Sequence, residues 1–403
     1  GQAAMKNGAD GRMADWFDGT GHTWMVGDAS DPDVYQGKLS RFDRRVLFIK
    51  PGIVIMHDLL AAPEPASFQW LLHTVAPIEL DEADRSLDVV SGEAAMSARM
   101  LRPAEPAFSI TDEYPVHPYT GYGTVLIPDD ELADEWHLTA EAAPASEREF
   151  LTVFDVRRNG DDPAAIREVD CEGGIGLQAT RGDMRTTIVL APDREPVSLS
   201  SRYLDATAEA ASVTTDDGAL ASACAVNASE LRWRGDVLFA VNDGSADCGV
   251  VVTAQGTIAD LGLPDAATVR LPGITGRLLV DGQAAAVAGV LDLPAGRHTI
   301  AWGPGPKRAL SHSLEPLAVT VGDTVSQLEG YARRRATDVR SYWWGPVTLP
   351  AEDRYELRVE AAGAPPRMTW DGRGVELSAE GDVLSGVIWD MPGIHHVTLS
   401  TAG

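Results

Sequence analysis

An acid and an imidazole, Asp58 and His73, lie fifteen residues apart in two apolar runs, IVIMHDLL and FQWLLH, separated by APEPAS. A turn at APEPAS would fold these runs into an antiparallel pair and bring carboxylate and imidazole to one edge. They could then supply two ligands of a zinc ion, given a third donor from elsewhere. The same residues could equally close a turn and end a strand with no metal involved. His57 cannot share the face of Asp58, because neighbouring strand residues point to opposite sides.

Charge suggests a second chemistry. Arg41, Arg44 and Arg45, with Lys50, form the densest basic stretch of the first hundred residues. Guanidinium forks suit carboxylate and sulfate groups, although strand alternation would also leave such residues on a solvated sheet face. The segment DEYPVHPYTGYG places Tyr114, His117, Tyr119 and Tyr122 in a Pro/Gly-rich loop, where Tyr119 is a candidate for stacking on a sugar ring. Tyr342, Trp343, Trp344, Trp370 and Trp389 crowd the last sixty or so residues, either as the core of a small sandwich or as a carbohydrate-binding face. His395 and His396 are adjacent, so they face opposite ways and read as ordinary strand residues.

These groups must be positioned by strands. The chain has 403 residues, 44% of them apolar, with 39 Gly and 25 Pro spread along it. Short runs such as HTWMVGDA, FLTVFDVRR and RTTIVLA are bounded by turn residues, which predicts an all-β chain with little helix. Their apolarity predicts strands covered on both faces. Lys50-Pro51-Gly52 should break its run into a hairpin. The expected division is a large antiparallel β-sandwich over 1–200, continuing sheet over 201–305 and a small C-terminal β-sandwich domain over 306–403. The last boundary is set where Gly303-Pro304-Gly305-Pro306 halts the pattern.

The formal net charge of −27 argues against nucleic acid and against an anionic membrane surface, since both would be repelled. Only four basic residues are lysine; 29 of the 33 are arginine. No apolar run reaches the length of roughly 18 residues that a membrane helix needs. Cys171, Cys224 and Cys248 are too few for a zinc ribbon, while a single bridge between Cys224 and Cys248 stays open. No nucleophile elbow, HExxH, phosphate-binding loop or dinucleotide fingerprint occurs.

The order Gly1-Gln2, Gly11-Arg12, VGDAS, Tyr35 and then RRVLFIKPGIVIMHDLLAAPEPASFQWLLHT resembles the C-terminal β-sandwich of heparinase II/III-like polysaccharide lyases over about residues 1–195. REFLTVFDVRR resembles a later core strand of that sandwich. The resemblance implies a structural zinc held by His73 with Asp28 or Asp58, the other histidine lying upstream of Gly1. It implies an acidic polysaccharide as substrate, with Arg41, Arg44, Arg45 and Tyr119 as contacts, and a secreted or periplasmic location.

In that family an upstream α/α toroid carries the tyrosine that, with a histidine beside the first sandwich strand, removes the C5 proton of a uronate. β-Elimination also needs the carboxylate neutralised and the leaving oxygen protonated. No catalytic residue is therefore expected within this chain, which opens GQAAMKNGAD without an initiator methionine and should be inactive alone. The rival expectation is a noncatalytic carbohydrate-binding or structural β-module.

Overall fold

The computed structural model of the chain describes residues 11–113, 135–253, 256–303 and 311–401, with short breaks inside the last two spans. The described residues form antiparallel strands and no helix, as the turn-punctuated apolar runs predict. The chain divides into two compact units, Gly1–Pro306 and Lys307–Gly403.

The first sheet of the larger unit is built from β1 (Arg12–Asp18), β2 (His22–Asp28), β3 (Arg41–Ile49), β4 (Ile53–Thr74), β5 (Ile78–Asp81), β6 (Ser86–Ser91), β7 (Ala94–Arg102), β8 (Ala107–Thr111) and β9 (Trp136–Arg158). Its order is β1-β2-β3-β4-β9-β7-β6-β5, with β8 pairing beside β7 on β9. The hairpin expected at Lys50-Pro51-Gly52 is present, with Ile49 opposite Ile53. Only glycine fits at 52, where an added Cβ would lie 2.1 Å from the Val156 carbonyl oxygen.

No turn forms at APEPAS. β4 runs on through it for 22 residues beside the 23 residues of β9. The ladder shifts register between Ala61 and Ala66 and again before Phe68. Pro63 and Pro65 occupy this irregular stretch, where their missing N–H groups break no ladder bond. Beyond it the ladder resumes as an arm in which Phe68, Trp70, Leu138 and Ala140 are buried. These residues join Phe150 and Phe154 in one cluster, with the Trp70 and Phe154 ring centroids 6.2 Å apart. Burying each such ring stabilises the arm by about 1.5–3 kcal/mol.

The second sheet begins with β10 (Ala165–Val169), β11 (Ile175–Arg181) and β12 (Met184–Leu190) and extends to the strand Gly296–Gly303. The third sheet draws its strands from Val197–Ser201 through Val290–Leu293. The second sheet takes strands from either side of residue 200, so packed layers rather than chain segments organise this unit.

Phe17, Trp24, Leu47, Leu151 and Val153 of the first sheet meet Leu177 and Ile188 of the second. Val189 and Val250 of the second meet Leu204, Leu231 and Phe239 of the third. Ile188 and its neighbour Val189 thus enter different cores, which is why the run TTIVL has no polar side. The same alternation rules out the Cys224–Cys248 bridge. Cys224 faces the core below the sheet and Cys248 the core above it, and both are free thiols.

In the smaller unit Val319, Val347, Leu357, Met368, Trp370, Val397 and Leu399 form the core. Trp370 is one of the five aromatics left between core and sugar face, and it is buried. The side chains of the other four lie outside the described residues.

Candidate functional site

Asp58 and His73 do not converge. They lie fifteen positions apart on one extended strand, at roughly 3.3 Å per residue. Asp58 is buried opposite Arg44 on β3, whose Nε and Nη2 donate to its two carboxylate oxygens at 2.7 Å each. Asp28 accepts bonds from Arg12 at 2.8 Å and from the Ser30 N–H at 2.9 Å. The Ser30 bonds lead in holding its pKa down at about 2, with the Arg12 guanidinium adding to them against the effect of burial. Each aspartate proposed for zinc is therefore occupied by a guanidinium.

The three arginines expected to meet substrate have different fates. Arg45 is 2% exposed and sealed inside, so no ligand reaches it. Its guanidinium donates to His57 Nδ1 at 2.5 Å and to the carbonyls of Asp193 at 2.7 Å and Ala191 at 3.0 Å. Because Arg45 can only donate, His57 accepts at Nδ1 and donates from Nε2 to Glu149 at 2.5 Å. Burial lowers the His57 pKa despite Glu149. Glu209 lies 3.9 Å from Arg45, yet burial outweighs that attraction and raises its carboxyl to about 7. Arg44 is committed to Asp58. Arg44 lines a small opening beside Arg12 and Asp28, whereas Arg41 reaches the larger open site, where it pairs with Asp43 and Asp193. Tyr119 lies outside the described residues.

That open site is a groove of about 1150 Å³, lined in part by six arginines and four carboxylates. Arg85, Arg148 and Arg167 in its wall have no carboxylate partner among the described residues. Arg85 donates to the carbonyls of Leu101 and Pro103, Arg148 to that of Ala143, and Arg167 to the side-chain oxygen of Gln178. Three of the four lining acids meet arginines, Glu149 and Glu168 at Arg102 and Asp193 at Arg41. Burial works against the charge of Glu149, but bonds from His57 and from Arg102 at 2.9 Å bring its pKa down to about 2. Asp193 is likewise lowered to about 2, chiefly by Arg41. The groove thus carries spare positive charge in a strongly acidic chain.

Sequence reasoning missed Arg85, Arg148 and Arg167 because they come from the turn before β6, from β9 and from β10. None belongs to a basic run, and only the pairing of β7 with β9 and the packing of the second sheet on the first assemble them.

His73 stands at the end of the arm. Phe68, Trp70 and Leu72 face the arm's core, so period two puts His73 on the outward face. Its cross-strand partner is His137, and the two imidazoles stack 4.4 Å apart at 10°. One donor atom from each of His73, Glu135 and His137 lies within 4.8 Å of the other two. Two imidazoles and a carboxylate fit zinc chemistry, whereas Asp28 and Asp58 do not complete the set.

Fold and site together define a layered all-β protein with an arginine-lined groove. No family description and no curated protein matches the chain. Among solved structures it is similar to a heparan sulfate lyase HepC mutant from Pedobacter heparinus, at 14% identity and a TM-score of 0.35, over 46% of this chain and 28% of that one. It is also similar to a Paenibacillus xanthan lyase, at 9% identity and a TM-score of 0.31, over 94% of this chain and 40% of the other. The chain thus spans well under half the length of either lyase.

Proposed function

We propose that this chain binds an acidic, uronate-containing polysaccharide in its arginine-lined groove, as the β-sheet portion of a heparinase II/III-like lyase acting outside the cytoplasm. The observation that carries the reading is the set of guanidiniums at Arg85, Arg148 and Arg167, which lack carboxylate partners among the described residues and share one groove. Their forks pair with carboxylate or sulfate, and neutralising a uronate carboxylate is what makes its C5 proton removable. The sequence resemblance supplies the reaction class. In this reading the base and the acid belong to the toroid that the resemblance implies.

Binding without catalysis is favoured by one feature of the groove. Glu149 and Asp193, with pKa values of about 2, carry no proton to donate at neutral pH and are weak bases. A noncatalytic glycan-binding module is therefore the second reading.

The test has two arms. Heparin and alginate should bind in a salt-dependent manner, neutral dextran should not, and Arg85→Ala/Arg148→Ala/Arg167→Ala should weaken binding at least about tenfold. Equal binding of dextran would sink the polyanion reading. A toroid-bearing protein that includes this chain should release unsaturated uronate product, followed by its ultraviolet absorbance. Binding with no product from any uronate polymer would leave the module and remove the lyase.

A further inference from the structure

The outward face of the arm holds three donors that the groove does not use. His137 lies on the central strand of the arm, opposite His73 on one side and Thr111 on the other. Glu135 precedes it by two positions, the spacing that returns to the same face. The inward neighbours Leu72, Trp136 and Leu138 belong to the arm's core, so the backbone beneath the donors is anchored.

From this arrangement we infer that His73, Glu135 and His137 bind a divalent transition-metal ion of the zinc class. Two neutral imidazoles and one carboxylate are a three-ligand set that leaves a fourth position open. The site departs from the donors implied by sequence, because Asp28 and Asp58 are held by arginines and the partners of His73 come from β9 and the residue before it. Parallel stacked rings do not aim their nitrogens at a common point, so ligation requires one ring to turn. His73 is the exposed ring and turns without leaving a core. The inference is independent of the lyase reading.

The experiment uses the full chain, stripped of metal by chelator and titrated with zinc in a calorimeter, with cobalt as a spectroscopic substitute. One equivalent of zinc should bind and raise the melting temperature, and cobalt should give the visible bands of a low-coordinate nitrogen and oxygen site. His73→Ala and His137→Ala should each weaken zinc at least about tenfold and abolish the thermal shift. His395→Ala/His396→Ala should bind as the parent does. Glu135→Gln should weaken zinc by a similar factor, and unchanged affinity would remove Glu135 from the site. Heparin binding should survive the chelator. The inference fails if the parent binds no zinc, if His73→Ala leaves affinity intact, or if the His395/His396 variant loses the ion. Should His137→Ala misfold, the exposed His73 variant still decides.

Discussion

The two halves of the β4–β9 ladder use the same residue types to opposite ends. In the stretch between Ile53 and Asp58, before the groove begins at Leu59, the buried polar residues are consumed in closed networks: Arg44 with Asp58, Arg45 with His57, His57 with Glu149. In the arm beyond Ala66 one face alone is covered, and the outward residues form open cross-strand pairs, Gln69 with Glu141 and His73 with His137. A buried polar group must be satisfied by the protein itself, whereas an exposed one can exchange its partner for a ligand. Histidine and acid in this chain therefore signal architecture where both faces are covered and a candidate site where one is bare.

The sharpest way to break this contrast is to remove a member of a closed network. Arg45→Ala strips His57 and Glu209 of a buried partner and should cost about 3–5 kcal/mol in denaturant unfolding. A loss under about 1 kcal/mol would show that the network is not structural.

Acid should also separate covered from exposed histidines. His22 is buried against Phe17, and burial, with Lys50 nearby, lowers its pKa from 6.5 to about 3. The unfolded chain takes up this proton first, so the His22 contribution is complete above pH 6.5 and is lost as pH falls toward 3. Over that window the loss should be about 4–5 kcal/mol, and His22→Leu should flatten it. A profile unchanged by His22→Leu would place the acid sensitivity elsewhere.

The arginines allow a gentler comparison. Replacing Arg85, Arg148 and Arg167 by alanine should cost about 1.4 kcal/mol or more in heparin affinity. Arg12→Ala, which removes a guanidinium already paired with Asp28, should change it by less than about 0.5 kcal/mol. Equal effects would mean that net charge and not the groove attracts the glycan. The smallest change belongs to the arm: His73→Ala should alter metal-free stability by no more than about 0.5 kcal/mol, read by thermal unfolding.

Local features were open to reading along the chain. Alternation in RFDRRVLFI names the buried side of β3, and Pro51-Gly52 marks its hairpin, because both depend on neighbours one to three residues away. APEPAS misled for an equally local reason. Two prolines look like a turn until a long partner strand is present to carry the ladder past them. Cys224 and Cys248 looked available to each other because sequence does not reveal that a central sheet has a core on each side.

Composition and periodicity by themselves determined an antiparallel, acidic, arginine-biased β-protein, since strand formation and net charge follow from residue types and their spacing. Tertiary structure alone decided which charges are spent and which are spare. His73 and His137 become neighbours only when β4 and β9 pair, and Arg85, Arg148 and Arg167 share a groove only when the second sheet packs on the first. Whether a side chain is then consumed or open depends on what covers the other face of its sheet.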